Sequence, residues 1–504
     1  MNIPLPMFVV VPLVAAFVLP AFGRRLKPLA TLIANLVTLF LLVLAVASVG
    51  TPAVYEVGGW SIPLGINMVL DGLSSLLLLA ISVVSAAAML FSARYMEQYT
   101  AKPKYLSLFL LMVAGMNGVV LSGDIFNLYV FLEIASIASY ALVGFGCEHE
   151  ELEASFKYMV LGSIASAFIL FGVALVYANT GSLNMAYIAD AIGRMGTNVG
   201  LTLALSLFIA GFGLKAALVP FHAWLPDAHP SAPAPISAML SGVLIKALGV
   251  YALARLIFNL FGVSVALGWL LVGLGLASMI AGGLLAIGQW DFKRLLAYSS
   301  ISQIGYVILG LGLGALLMAQ NANPAWAALA ILGGLFHLAN HAVYKSLLFL
   351  TSGSVELATG TREMRKMGGL GDRMPVTRAA CAVASASIAG VPPFPGFWSK
   401  LILVIAAVQA GFYWIAVAIV AVAVCTLIMY LKVHRYVFLG ELPPDLQTVR
   451  ENKGSILFAM AGLTCVCALM GLLVLVPSLR SSVLDPAVSV LTDGVQSSTH
   501  LMSP

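Results

Sequence analysis

The chain has 504 residues, of which 61% are hydrophobic and only 9% are charged, whereas soluble domains carry about 25% charged residues. This composition excludes a soluble enzyme or binding domain and indicates an integral membrane protein. The net charge of +5 does not indicate a nucleic-acid partner, because the basic residues lie in short connections between apolar runs. The five cysteines have neither disulfide nor zinc spacing, so we expect no metal. The sequence also has no haem ligand pair across helices, no CxxC motif and no nucleotide loop, so we expect no cofactor.

The apolar runs have the length of membrane-spanning helices, which need about 20 residues each. Hydropathy predicts an all-α protein with fourteen transmembrane helices and a loose, polar tail over 478–504. The first run has no basic segment before it and no cleavage site, so we expect a retained helix. The predicted spans are 3–23, 28–48, 70–93, 104–121, 125–146, 154–179, 200–220, 233–256, 265–287, 294–317, 326–351, 376–408, 411–436 and 455–477.

The basic residues concentrate in alternate connections between these spans. By the positive-inside rule, such connections lie in the cytoplasm. We therefore expect a multi-pass protein of the cell (inner) membrane with both termini outside. The basic connections contain Arg24, Arg25 and Lys27; Arg94, Lys102 and Lys104; Lys293 and Arg294; Arg362, Arg365, Lys366 and Arg373; and Lys432, Arg435, Arg450 and Lys453.

Two spans are interrupted by prolines, which remove helical hydrogen bonds and clash with the preceding turn. Helix 7 breaks at Pro220, and helix 12 breaks at Pro392, Pro393 and Pro395. An offset of five spans gives the two helices opposite directions, which is typical of inverted repeats around a transport site. The predicted units are helices 1–3 in 1–103, a first repeat of helices 4–8 in 104–261, a second repeat of helices 9–13 in 262–440, and helix 14 with the tail in 441–504.

Glu133 in span 5 and Lys215 before the first break are the first charges placed inside the membrane. Such residues are rare in membrane spans and mark functional sites. A desolvated lysine gives up its proton readily, so we interpret Glu133 and Lys215 as a pair whose opening and closing gates proton release. Two alternatives stay open, a neutral hydrogen-bonded glutamic acid and a static salt bridge that holds the broken helix.

Further ionisable residues follow along the chain. Lys246 lies midway along span 8, and Lys400 follows the second break, mirroring the lysine at the first. His337, His341 and Lys345 in span 11 are spaced by four residues and share one helix face. They fit a histidine relay that operates near neutral pH. A metal pair lacks a third ligand nearby in sequence, and histidines bonded to carbonyls are the other alternative. Lys345 lies nearer the cytoplasmic end, where we expect partial solvation.

Other polar residues suit simpler roles. Lys157, Lys293 and Arg294 lie at cytoplasmic helix ends, where long cations reach toward water. Asp71 is placed to cap span 3. Asp227 and His229 fit either a cap or a cytoplasmic entrance. The glycines of 309–314 favour close helix packing over nucleotide binding.

Five motifs carry a family resemblance. They resemble the antiporter-like subunits, which comprise the D subunit of Mrp-type sodium/proton antiporters and the proton-pumping membrane subunits of respiratory complex I and of membrane-bound hydrogenases. The resemblance covers about residues 65–440, and the loop DAHPSAPAPISA is most similar to Mrp and hydrogenase members. The motifs are FNLYVFLEIASIASYAL, LKAALVPFHAWLPDAHPSAPAPISAMLSGVLIKALGVYAL, YSSISQIGYVILG, FHLANHAVYKSLLFL and GVPPFPGFWSK.

The resemblance implies fourteen helices in two inverted five-helix units, with helices 7 and 12 broken. It places the family's helix 5 glutamate at Glu133. The family's lysines of helices 7, 8 and 12 fall on Lys215, Lys246 and Lys400. Its helix 11 positions fall on His341 and Lys345, with His337 one turn away.

We therefore expect a translocase subunit without its own redox centre, which works with other membrane subunits of a larger complex. Protons would move along the buried residues, and exchange for sodium stays open. The alternatives are a quinone-binding or redox-active subunit, a structural scaffold, and an antiporter that acts alone. The predicted relay is Glu133, Lys215, Lys246, His337 with His341, Lys345 and Lys400.

Overall fold

The protein is described by a computed structural model covering residues 4–22 and 26–500, with side chains given up to residue 497. Arg24 and Arg25 of the first basic connection lie outside the described residues. So do Ile3 and Gly23 of the first predicted span and the last four residues of the predicted tail.

Most of the described chain is helical. Within it, eleven helices are long and apolar enough to cross a membrane, and three shorter apolar helices accompany them. The long helices are Lys27–Ala47, Gly72–Gln98, Lys102–Leu121, Ile125–Val143, His149–Thr180, Ala234–Phe261, Val265–Ile287, Phe292–Ala319, Pro324–Thr359, Tyr413–Phe438 and Ser455–Leu475. The shorter ones are Met7–Phe22, Val199–Lys215 and Pro395–Gln409.

Further helices complete the bundle. They are Met185–Met195, Leu225–Ser231, Pro375–Ala389, Asp485–Thr492 and Val495–His500, with short helical turns at Val57–Gly59, Met364–Lys366, Pro444–Leu446, Pro477–Leu479 and Arg480–Leu484.

A β-hairpin lies between the second and third long apolar runs, which the prediction of an all-helical chain misses. Strand Ala53–Glu56 pairs antiparallel with strand Asn67–Leu70, with Ala53 opposite Leu70. The β-branched and aromatic residues of both segments suit a pleated strand. Hydropathy could not reveal it because each strand is only four residues long.

Pro220, Pro392 and Pro393 of the two interruptions are exposed, but neighbouring backbone groups find partners within the protein. Helix Val199–Lys215 ends before Pro220 at the first interruption. Helix Pro395–Gln409 begins at Pro395, the last proline of the second interruption. In the first interruption, the Val219 N–H donates to Ser278 Oγ at 2.9 Å. Internal partners of this kind are required, because lipid offers none to a non-helical backbone.

The span Ala234–Phe261 is unusual because three of its segments are π-helical: Leu240–Leu244, Lys246–Tyr251 and Arg255–Phe261. In a π-helix the hydrogen bonds run from residue i to residue i+5, so each turn contains more residues than an α-turn. The span is buried along most of its length. It therefore forms the centre of the first half of the bundle.

Glycines allow helices Val265–Ile287 and Phe292–Ala319 to pack closely. A Cβ atom at Gly305 would lie only 2.3 Å from the backbone nitrogen of Met279. In the glycine run 309–314, a Cβ at Gly310 would lie 2.8 Å from Gly334 Cα. This confirms that the run serves close helix packing.

Substituting Gly305 with valine is expected to destabilise the bundle by about 1–3 kcal/mol, because overpacking forces the two backbones apart. Thermal unfolding of the detergent-solubilised protein measures this. The matched control is Gly273→Val, since Gly273 faces open space on one helix of the same pair. Equal melting temperatures for the two variants would contradict the packing argument.

The prediction of a loose tail is wrong for the described part of 478–504. Leu484, directly before helix Asp485–Thr492, is buried, and so are Ala487 and Leu491 within the helix. These apolar residues recur at helical spacing and pack on helix Gly72–Tyr95. Near its start, a Cβ at Gly72 would lie 2.3 Å from the backbone carbon of Pro486.

Candidate functional site

Glu133 and Lys215 face each other at the first interruption. Lys215 is the last residue of its helix, and its Nζ lies 3.9 Å from Glu133 Oε1. The ammonium donates instead to Ser136 Oγ at 2.9 Å and Tyr140 OH at 3.2 Å. The Ser166 hydroxyl donates to Glu133 Oε1. The pair is therefore loose, with each member held more closely by hydroxyl groups.

The two members differ in exposure. The Lys215 side chain is 4% exposed, whereas the Glu133 side chain is 27% exposed. Phe126 and Ile137 on the same helix are exposed as well. Glu133 is thus a carboxylate close to an otherwise apolar outer surface of the chain.

Lys246 lies in the π-helical span and is completely buried. Its Nζ donates to the backbone oxygen of Ser241 at 2.5 Å. The Ser241 hydroxyl shares a hydrogen bond of 2.7 Å with Ser300 Oγ. Lys246 is therefore linked through Ser241 to helix Phe292–Ala319.

The two histidines of helix Pro324–Thr359 have different surroundings. His337 Nδ1 lies 2.9 Å from Ser399 Oγ, and its Nε2 lies 3.0 Å from Gln303 Oε1. Both ring nitrogens of His341 are buried without a hydrogen-bond partner among the described residues. Within those same residues, no group of three His, Cys, Asp or Glu side chains is placed to hold a metal ion.

Lys345 and Lys400 occupy the second half of the bundle. Lys345 is completely buried, so the expected partial solvation is wrong; its Nζ lies 3.4 Å from Tyr430 OH. Lys400 Nζ donates to the backbone oxygens of Ile388 at 2.8 Å and Ala389 at 3.2 Å. These carbonyls end helix Pro375–Ala389, and a cation is favourable at such a terminus.

Aromatic side chains connect several of these groups. The Tyr306 ring lies 5.2 Å from Lys400 Nζ and 5.2 Å from the His337 ring. The Tyr344 ring lies 5.5 Å from the His341 ring. Over the described ranges, no direct hydrogen bond joins Lys215 to Lys246. The structure thus links His337 to Lys400 through Tyr306 and places His341 beside Tyr344.

Sequence reasoning missed the neutral partners of these charges. Serine is common in membrane helices and often bonds the carbonyl four residues earlier, so it attracts little notice. The only available signal was the density of polar residues in YSSISQ. The missed residues are Ser136, Tyr140, Ser166, Ser241, Ser300, Gln303, Tyr306, Tyr344, Ser399 and Tyr430.

The prediction that Lys293 extends from its helix end toward water is wrong. Its side chain is 3% exposed and its Nζ lies 2.7 Å from Glu356 Oε2. It also donates to the Ala232 carbonyl at 3.2 Å, while Arg362 Nη1 donates to the Pro230 carbonyl at 2.6 Å. The prediction failed because Glu356, distant in sequence, supplies a partner, with its own side chain only 26% exposed. Two cations therefore hold the segment that follows the first interruption.

Asp227 in the same segment contacts two cations. Its carboxylate lies 3.1 Å from Lys157 Nζ and 3.5 Å from Arg294 Nη2. Both basic side chains are about half exposed, as predicted for them. The neighbouring His229 is completely buried, and its ring nitrogens have no hydrogen-bond partner in the described part of the chain.

The helices and the buried lysines and histidines together define an integral membrane protein with the ionisable interior typical of ion transporters. The family described as "NADH:quinone oxidoreductase/Mrp antiporter, TM" matches residues 122–426. A second one, "NADH-Ubiquinone oxidoreductase (complex I), chain 5 N-terminus", matches residues 55–106. The chain belongs to the NADH:quinone oxidoreductase/Mrp antiporter family, which confirms the resemblance seen in its motifs.

Known relatives include both branches of this family. The N subunit of NADH-quinone oxidoreductase from Desulforudis audaxviator is 37% identical, over 78% of this chain and 77% of that protein. The D subunit of the Na(+)/H(+) antiporter from Alkalihalophilus pseudofirmus is 35% identical, over 83% of this chain and 82% of that protein. A chain of the Mrp complex from Dietzia sp. DQ12-45-1b superposes with a TM-score of 0.88 at 29% identity, covering 99% of this chain and 100% of that chain.

Proposed function

We propose that this chain is a proton-translocating membrane subunit of a multisubunit complex of the Mrp antiporter, complex I or membrane-bound hydrogenase type. The observation that carries the proposal is the burial of Lys215, Lys246, Lys345 and Lys400 in one membrane protein. Among the described residues, only Lys215 of these four lies within 4.0 Å of a carboxylate. An unpaired ammonium in such surroundings is costly, and a lysine relieves that cost by passing its proton on.

Protons move along the buried residues near the middle of the membrane, and half-channels open at the interruptions marked by Pro220 and by Pro392, Pro393 and Pro395. The loose geometry at Glu133 supports a pair that opens and closes, because each member already has hydroxyl partners when the two separate. The proposed order is Glu133, Lys215, Lys246, His337 with His341, Lys345 and Lys400.

We assign fourteen membrane crossings, with both termini outside. The eleven long apolar helices and three shorter ones support this number. Two inverted five-helix units occupy 104–261 and 262–440, flanked by 1–103 and 441–504. The interrupted helices in the two units support this division, since each consists of two shorter helices around a proline-rich break.

The partners of this chain are other membrane subunits in the cell membrane. Lipid is a poor neighbour for the partly exposed carboxylate of Glu133, so a second subunit covers this face. The similar chain from Dietzia belongs to an Mrp complex, which supports an assembly of this kind. Sodium is the counter-ion if the complex is of the Mrp type.

The assembled complex, reconstituted in proteoliposomes with a pH-sensitive dye inside, tests the proposal. We expect the internal pH to change when a sodium gradient is imposed, or when a redox partner subunit receives its electron donor. Liposomes with the complex lacking this chain serve as control. An assembled complex that moves no protons under either driving force would contradict the proposal.

A further inference from the structure

One face of the π-helical span continues beyond Lys246 toward the end of the bundle opposite the basic connections. Tyr251, Arg255 and Asn259 follow Lys246 at intervals of five, four and four residues. Hydrogen bonding from i to i+5 brings residues at these intervals onto one helix face. Arg255 Nε donates to Tyr251 OH at 3.0 Å, and its Nη1 contacts Asn259 Oδ1 at 3.5 Å. Polar groups thus line this face from Tyr251 to Asn259, beginning about one turn beyond Lys246, whose ammonium reaches back to Ser241.

A buried ion pair lies on this face. Arg255 Nη2 is 2.5 Å from Asp71 Oδ1, and the two side chains are 10% and 9% exposed. Asp71 also caps helix Gly72–Tyr95 by accepting from the Ser74 N–H at 2.9 Å, as predicted from the sequence. Its second oxygen, Oδ2, is buried without a hydrogen-bond partner among residues 4–22 and 26–500. This oxygen is free to accept a proton.

A small cavity adjoins the arginine of this pair. Its volume is about 40 Å³, and its polar lining comprises Asn67, Ser122, Asn184, Tyr251, Arg255 and Asn259. A single water molecule needs roughly 10–15 Å³ in such a measure. The cavity is therefore large enough for water beside the buried pair, at the end of the bundle where spans 3, 5 and 8 have their outer ends.

We propose that this face is a proton outlet of the first repeat, and that the Asp71–Arg255 pair is its gate. The outlet rests on the proposed function, because it needs a proton on Lys246. The proton leaves the Lys246 ammonium and reaches Asp71, which leaves a neutral amine and a carboxylic acid. The neutral acid holds Arg255 less tightly and then releases its proton into the cavity. A helix cap alone needs no buried arginine, whose burial with a carboxylate carries a large desolvation penalty.

Asp71→Asn tests the gate, because asparagine is also a good helix cap but cannot take up a proton. We expect proton translocation by the assembled complex to fall about tenfold or more, with unchanged amounts of complex. The matched control is Asp124→Asn. Asp124 is another buried aspartate at the same end, and it caps helix Ile125–Val143 with no arginine partner in the described part of the chain. We expect this control to transport like the wild type.

Access to the cavity is tested separately with Ag⁺, a small cation that binds thiols. Ser122→Cys is made in a chain carrying Cys147→Ser, Cys425→Ser and Cys465→Ser. We expect Ag⁺ added from the outer side to block this variant, but to spare both the parent and Thr197→Cys, whose thiol is exposed on the same side.

The outcomes separate the two proposals. If Asp71→Asn transports like the wild type, or if Ag⁺ leaves Ser122→Cys active, while Lys215→Ala is inactive, then the outlet is overturned and the proposed function stands. If the assembled wild-type complex moves no protons under either driving force, the proposed function itself fails.

Discussion

Replacing Lys215 with alanine is expected to reduce proton translocation by about a hundredfold or more, the scale on which positioned proton-transfer groups act. The ammonium of Lys215 is the only one of the four proposed relay lysines that faces a carboxylate within the described chain. Alanine removes the proton carrier and leaves Ser136 and Tyr140 without their shared cation. Dye-monitored proton uptake by proteoliposomes containing the assembled complex measures the loss.

The control for this variant is Lys157→Ala. Lys157 also pairs with carboxylates, at 2.8 Å from Glu153 and 3.1 Å from Asp227, but its side chain is 47% exposed. Surface pairs of this kind contribute little, so we expect near-normal transport. Wild-type rates in Lys215→Ala, with assembly verified by subunit stoichiometry, would remove Lys215 from the path.

Replacing Lys246 with methionine is expected to stop proton transport without destabilising the protein. Lys246 lies between the two halves of the proposed path, so its loss blocks proton transfer from Lys215 to the histidines. Methionine fills a similar volume and removes a buried charge that has no carboxylate partner among the described residues; replacing buried charges by apolar groups of similar volume is often neutral or stabilising. Transport and the thermal unfolding temperature, measured on the same preparation, therefore separate a transport role from a structural one.

The chain offers a closely matched control in Lys102→Met. Lys102 is buried and donates to one backbone oxygen, that of Ala93, at the same distance of 2.5 Å as Lys246 to Ser241. It is the first residue of helix Lys102–Leu121 and is not part of the proposed path. We expect Lys102→Met to transport normally; parallel loss in both variants would show that removing any buried lysine is harmful.

The sequence was sufficient to predict the helices that lipid imposes. A run of about 20 apolar residues forms a helix in a membrane with few alternative structures. Prolines interrupt helices because their rings clash with the preceding turn. The hairpin and helix Asp485–Thr492 escaped because they are short and lie at the ends of the bundle, where lipid does not dictate structure. The π-helical turns escaped because SGVLIKALGVYALAR is equally compatible with an ordinary α-helix.

The candidate site was predictable only in its charged members. A lysine or histidine within an apolar span is conspicuous because its burial is costly. Partners brought together by folding are not conspicuous, as the Lys293–Glu356 and Asp71–Arg255 pairs demonstrate. Whether a charge is solvated or buried depends on residues distant in sequence, so Lys345 was placed too near water.

The π-helical turns have a consequence for how this span tolerates change. Each residue of an α-helix advances the chain by about 100° around its axis. The angle per residue is smaller in a π-helix, because each turn contains more residues, so removing one residue between Lys246 and Arg255 would rotate everything beyond the deletion by somewhat less than that angle. Arg255 would then point away from Asp71 while Lys246 stayed in place. The angular register of this span, set by its residue count, is thus under tighter constraint than the identity of its apolar side chains.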